Sequence, residues 1–470
     1  MTKRLIVSLA GLILWAVVLV AQSPIPTARY VTYLEVQPLL QLMDEIAPPA
    51  LKGKSAAQQA QLWPDWVKAQ DAQLRARLQQ GDEDTLINFL LFGTSFTRQP
   101  RVSLATVNLL KSAREQAERE GLIGKRLDDL LTALQLPGGN ERLMFLRKLV
   151  TLRGQQATPA GRAKLKNYLL TNLKRVLAEQ ESLAKTIEAA RLQGNAGEEF
   201  IERSKLYRNR GLSLDTTLQP NFAIEQSLQT MLAHGLIKRG SISRVAVIGP
   251  GLDFTDKAAG YDFYPQQTLQ PFALLDTLLR LGLAKPEDLQ LTAFDVSPRI
   301  HDHLAQARQR AQRGLPYVVQ LPLDSTAQWK PEMLAYWQGF GVQIGKPVAA
   351  GALPSGLASL QMRAVAVQPQ WVRKISSTDL NVVWQRADAS TEAVYDLIVA
   401  TNILVYYDVF EQSLALSNLQ SLLRPGGVLL SNNALLELPV LKMRSVGYQT
   451  TVYSDRADDG DHIVWYQRML

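Results

Sequence analysis

The sequence predicts an α/β fold: a mostly parallel sheet in the C-terminal half, behind an all-helical N-terminal domain. Three observations carry this. Residues 30–224 run in long stretches of helix formers broken by Pro and Gly stops. From residue 225 to 470, short β-like apolar runs alternate with amphipathic helices. The charge is also divided unevenly: residues 1–225 hold 30 Lys/Arg against 22 Asp/Glu, whereas residues 226–470 hold 21 of each. A chain of 470 residues is long enough for two or more folding units, and 46% apolar with 20% charged content describes an ordinary globular protein.

The N-terminus stands apart. Lys3 and Arg4 precede Leu5–Ala21, a run of 17 residues without charge. The order of positive end, apolar core and small residue is that of a signal peptide, and the length is the short limit of a membrane anchor. Residues 1–21 therefore imply an exported protein, periplasmic or secreted, or one anchored in the cytoplasmic membrane by residues 5–21.

The helical elements follow. "AQQAQLWPDWVKAQDAQLRARLQQ" is rich in Ala, Gln, Leu and Arg, all good helix formers. "DEDTLINFLLFGTSF" opens on three acids, which suit a helix start. "RLDDLLTALQLPGGN" ends on a Pro-Gly-Gly stop, and the stretch from Thr158 runs about eight turns to a glycine. Residues 142–175 carry nine Lys/Arg and no acid. Such a segment either binds an anionic membrane surface or forms an ordinary solvated helix face. No nucleic-acid motif accompanies it.

Residue types exclude several chemistries. There is no cysteine, hence no disulfide, thiolate metal site or cysteine nucleophile. Of four histidines, His301 and His303 are spaced so that a helix points them to different sides, which argues against a histidine metal centre.

In the C-terminal half, "SRVAVIGPG" reads as a strand entering a glycine turn, "PFALLDTLLRLGLA" as a helix and "LQLTAFDVSP" as a strand ending in an acid. A helix follows at "PRIHDHLAQARQRAQRG". Then come the strand "YDLIVATNILVYYD", a helix closed by "LLRPGG", the strand "GVLLSNN", and two last runs, "YQTTVYSD" and "DHIVWYQRM". Such alternation implies right-handed crossovers, a parallel sheet and a ligand site outside the carboxyl ends of its strands. Gly249 and Gly251 permit close backbone approach to a ligand. Asp295, last residue of its strand, is placed either to accept ribose hydroxyls or to cap the next helix. The third glycine of G-x-G-x-x-G is replaced by Phe254, and Asp295 lies 44 residues beyond Gly251, which speaks against a dinucleotide oxidoreductase.

The set "VIGPG", "TAFD", "YDLIVATN" and "LLRPGGVLL" resembles the class I S-adenosylmethionine-dependent methyltransferases over residues 225–470. "NILVYYD" further resembles a stretch of the chemotaxis receptor carboxyl methyltransferases. The resemblance implies a Rossmann-like, seven-stranded sheet with an antiparallel final pair, and S-adenosylmethionine as cofactor. It implies that Gly249 and Gly251 hold the methionine portion, that Asp295 holds the ribose, and that Asn402 stands beside the transferred methyl, with Tyr406 and Tyr407 shaping the pocket. The family's acid two residues before the first glycine is Val247 here; Asp253 either substitutes for it or caps the turn. Asp388 is a candidate adenine contact, and residues 325–390 exceed the usual third-strand region by a hairpin. The methyl acceptor and any catalytic side chain stay open. The competing expectation is an exported, non-catalytic binding or scaffold protein that retains the fold.

Overall fold

The computed structural model describes residues 27–102, 113–193, 211–255, 257, 259–387, 394–432, 434–456 and 459–470. The expected signal or anchor at residues 1–21, and Asp388, lie outside the described residues. Among the described helices none is long and apolar enough to cross a membrane.

The N-terminal region is helical, as its composition requires, but begins with a short strand, β1 (Ala28–Tyr30). It continues as α1 (Tyr33–Leu42), α2 (Ala56–Phe92), α3 (Ala113–Gln135), α4 (Glu141–Leu152) and α5 (Arg162–Gln193). Ser55 opens α2 with a capping box, its side chain and that of Gln58 each accepting from the other's backbone N–H. The two helices expected on either side of Gly81 are one helix of 37 residues. The acids at 82–84 do not start a helix. They serve as ion partners on its surface: Asp82 to Arg299 at 2.8 Å, Glu83 to Arg153 at 2.6 Å, Asp84 to Arg175 at 2.6 Å.

The remaining elements are α6 (Gln219–Ala233), β2 (Arg244–Ile248), α7 (Gln270–Arg280), β3 (Gln290–Asp295), α8 (Pro298–Gln312), β4 (Tyr317–Asp324), α9 (Pro331–Gly339), β5 (Gly345–Val348), β6 (Leu360–Val367), α10 (Pro369–Val372), β7 (Ile375–Asp379), β8 (Gln385–Ala387), β9 (Tyr395–Ala400), α11 (Val409–Leu422), β10 (Leu423–Ser431), β11 (Met443–Val452) and β12 (Gly460–Arg468). Seven strands form one sheet in the order β11-β12-β10-β9-β2-β3-β7. The pairs β10–β9, β9–β2, β2–β3 and β3–β7 are parallel, and β12 runs antiparallel to both its neighbours. This is the seven-stranded, mostly parallel, doubly wound α/β fold expected from the sequence. From β2 the chain winds outward through β3 to β7, then returns to add β9 on the other side, so the order reverses between β2 and β9.

Alternate residues of each strand enter different cores. Val245, Val247, Leu291, Ala293, Leu397 and Val399 pack under α6, α7 and α8. Ala246, Ile248, Phe294, Ile398 and Ala400 pack with α11, α1 and the first half of α2. The second core therefore joins the helical region to the sheet, and β1 pairs with β8 across more than 350 residues of chain. A third core lies among α2 to α5 and receives Phe254 from the α/β half. The boundary expected at residue 225 falls inside α6, which packs against β11 and β12. The extra segment before β7 is larger than a hairpin: β4, β6 and β5 form a separate antiparallel sheet. Pro322 is tolerated in β4 because that strand is an edge.

The basic segment 142–175 is partly engaged within the protein. Arg142 is buried, while Arg153, Arg162, Lys166 and Arg175 are all in ion pairs with Asp or Glu. These four pairs hold the helices to one another, while Arg147, Lys148, Lys164 and Lys174 are exposed.

Candidate functional site

A cavity of about 440 Å³ opens at the carboxyl ends of β2, β3 and β9, at the point where the strand order reverses. The turn after β2 contributes Gly249, Pro250 and Gly251, with φ of 65° and 76° at the two glycines. A Cβ on Gly249 would stand 2.2 Å from Ile403 Cδ1, and one on Gly251 2.7 Å from Thr216 Cβ. Both positions thus need glycine for conformation, and Gly251 also for space, since the Leu214 and Asp215 carbonyls close on it. The Gly249 N–H donates to Phe294 O at 2.8 Å, tying the turn to the end of β3.

Asp295 closes β3 and lines the cavity. It is nearly buried, at 6% exposure, and so is not the exposed acid that a strand end suggests. Oδ1 accepts the Ser297 N–H at 2.7 Å, so the carboxylate also braces the turn into α8. Burial, helped by the neighbouring Asp379 charge, pushes its carboxyl up to about 7. Asp379 is its register partner on β7 and is itself held by Arg75 at 2.7 and 3.0 Å.

Asn402 follows β9 with φ of 60°, a left-handed conformation that Asn tolerates. Its N–H donates to Asn432 Oδ1 at 2.9 Å, and Gln270 fixes the preceding Thr401 hydroxyl at 2.9 Å. Tyr406 and Tyr407 complete that wall. The structure thus brings Gly249, Gly251, Asp295 and Asn402 to one cavity. Asp253 is set apart from its lining. Its carboxylate accepts from the Tyr264 hydroxyl at 2.8 Å and from Gln267 at 3.4 Å. Burial pushes it up to about 7 against the lowering charge of Arg142. Phe254 does not fill the cleft either: it packs on Phe89 and Phe145 in the helical core.

Several wall residues escaped the sequence reading. Leu78, Gly81, Asp84, Thr85 and Asn88 of α2 form one wall, and residues 211–217 another. The two cross at glycines: a Cβ on Gly81 would lie 2.0 Å from Leu212 O, and one on Gly211 2.2 Å from Gly81 N. Three contacts pin α2 across the sheet's carboxyl edge, namely Arg75 to Asp379, Arg77 to Tyr406 O at 3.2 Å, and Asp82 to Arg299. The pair of distant glycines was the one available signal, and nothing in either local pattern links them. Among the described residues no group of acidic or histidine side chains is arranged to hold a metal ion.

The strand order defines a Rossmann-like α/β protein with a cavity at the point where that order reverses. No family model and no curated protein sequence matches the chain. Solved structures similar to it include the N-methyltransferase NodS from Bradyrhizobium japonicum WM9 in complex with S-adenosyl-L-homocysteine, at 15% identity, 57% of this chain, 98% of that chain and a TM-score of 0.26. Magnesium protoporphyrin IX methyltransferase (ChlM) from Synechocystis PCC 6803 is similar at 12% identity, 52% of this chain, 80% of that chain and a TM-score of 0.24. A SAM dependent methyltransferase from Aquifex aeolicus gives 10%, 55%, 95% and 0.23. The fold assignment rests on the strand registers of this chain.

Proposed function

We propose that the cavity binds S-adenosylmethionine and that the protein is a methyltransferase whose acceptor reaches the cofactor beside Asn402. The observation that carries this reading is the opening of Asp295, a strand-end carboxylate, into the same cavity as the Gly249–Gly251 turn. The donor set suits the group. A carboxylate accepts two vicinal hydroxyls, the glycine turn admits a ligand against the backbone, and 440 Å³ falls within the roughly 300–1,000 Å³ of small-molecule sites. Bound there, the cofactor supplies a methyl group on a positively charged sulfur. The chain's part is to hold the nucleoside, align the acceptor and keep water out, which requires no metal and no covalent nucleophile. Isothermal titration of the full chain with S-adenosylmethionine and S-adenosylhomocysteine tests the reading. Saturable binding that Asp295→Ala abolishes is expected. Absence of binding to either compound overturns it in favour of a non-catalytic fold.

A further inference from the structure

Asp215 is a residue that neither the glycine turn nor the strand ends account for. It lies in the segment 211–217 that passes over Gly251, and it lines the cavity. Its side chain is only 2% exposed. Neither carboxylate oxygen receives a hydrogen bond, which is costly for a buried acid. Its ion partner is Lys257, whose Nζ stands 3.1 Å from Oδ2 and whose side chain is 65% exposed. Strand β2 itself places no acid before the glycine turn, since the residue two before Gly249 is Val247, fully buried in the core, and the cavity's strand-end acid, Asp295, comes from β3. Besides Asp295, the cavity therefore has a second buried acid, at the Gly251 side of the turn, balanced by the exposed Lys257.

We propose that Asp215 recognises a cationic amino group on the cavity's ligand, and that Lys257 holds that position until the ligand replaces it. A ligand ammonium brings three donors to two oxygens that lack them, whereas Lys257 must fix a long side chain to do the same. Displacement does not leave Lys257 without a counter-charge. Its positive charge already acts on the carboxyl of Asp461, so it moves from one acid toward another. The inference rests on the adenosyl reading above, and it assigns the amino end of that ligand to a residue outside the sheet.

The test compares three probes by isothermal titration with the full chain: S-adenosylhomocysteine, its deaminated analogue, and 5′-methylthioadenosine, which lacks the amino-acid end. S-adenosylhomocysteine should bind wild type roughly tenfold to a hundredfold more tightly than the other two, the range of one charge-assisted hydrogen bond. Asp215→Asn should bring it down to their level and leave their affinities within about twofold, a reading within experimental scatter. Lys257→Met should tighten S-adenosylhomocysteine alone. Equal loss of all three in Asp215→Asn, or no loss, overturns the assignment, as does weaker binding in Lys257→Met. Should Asp215→Asn fail to fold, the deaminated analogue on wild type decides alone: affinity equal to that of S-adenosylhomocysteine overturns the proposal. If none of the three binds wild type, the adenosyl reading itself falls. If all bind equally, only the role of Asp215 falls.

Discussion

Asp295→Asn should make the protein more stable and less able to bind its ligand. In the folded state the Asp295 carboxyl is pushed from 3.8 up to about 7, by burial first and then by the Asp379 charge. A shift of one unit corresponds to about 1.4 kcal/mol, so keeping this group ionised above pH 7 costs the folded state up to about 4 kcal/mol. The cavity is open to solvent, and screening makes that an upper bound. Between pH 4 and 7 the folded state holds the proton more tightly than the unfolded chain. The contribution of Asp295 to stability therefore falls as pH rises through this window and is flat above it. Asparagine is neutral throughout and keeps an oxygen for the Ser297 N–H. The variant should match wild type near pH 4 and exceed it at pH 8. At about 2.1 cal/mol/K per residue, one kcal/mol moves the melting temperature of so long a chain by about 1 °C, so a gain of up to about 4 °C is expected. Affinity for an adenosyl ligand should fall by about 1.5–3 kcal/mol for each charge-assisted hydrogen bond weakened. Scanning calorimetry at pH 4.5 and pH 8, with titration of S-adenosylhomocysteine at pH 8, reads both effects. A variant that is less stable at both pH values, with ligand affinity unchanged, would show that Asp295 serves only to brace the turn into α8.

Three further outcomes follow from the packing. Gly249→Ala forces a Cβ to 2.2 Å from Ile403 at a φ of 65°; a loss of about 1–3 kcal/mol of stability together with weakened nucleoside binding is expected by denaturation and titration, and an unchanged protein would refute the close approach. Arg142→Met strands Tyr264 O and Asp253 O, which the buried guanidinium serves at 2.5 and 3.1 Å; urea denaturation should show a cost of about 2–5 kcal/mol, and a change below 1 kcal/mol would return Arg142 to the role of a surface cation. A fragment of residues 225–470 should be expressed as an aggregate or an incompletely folded chain, because it lacks Val31, Val36, Leu39, Trp63, Val67 and Leu74 of the core that covers one sheet face; a monomeric fragment with a sharp cooperative melt would refute that dependence.

The sheet was legible because a two-residue period leaves its mark in each strand. Val245 and Val247 face one core and Ala246 and Ile248 the other, and the flanking helices carry their own stops. The glycine turn and Asp295 were legible for the same reason: their chemistry sits at strand ends, whose positions the pattern gives. What could not be read depends on partners far away in the chain. Gly81 followed by three acids has the local form of a helix stop and start. It becomes mid-helix only because Leu212 passes against the glycine and Arg299, Arg153 and Arg175 meet the acids. Within the basic run 142–175, the pairing of Arg153, Arg162, Lys166 and Arg175 could not be read because their counter-charges lie on other helices. Asp253 fits the glycine turn in sequence, but Tyr264 and Gln267 turn its carboxylate into the core.

The two halves of the chain are therefore complementary at the site and not merely adjacent. The sheet supplies the glycine turn, Asp295 and Asn402, all at strand ends that by themselves would lie open to water. The segments that cover them, α2 and residues 211–217, belong to the region that reads as helical and separate. They reach the cavity because two glycines let their backbones cross, and they stay there because Arg75 and Arg77 bind the sheet's carboxyl edge. A charge buried under such a cover interacts more strongly than one at an open strand end, since less water screens it. The covering half thus does more than stabilise. It adds to the burial of Asp295, contributes Asp215 directly, and lines the cavity with Asp84, Thr85 and Asn88.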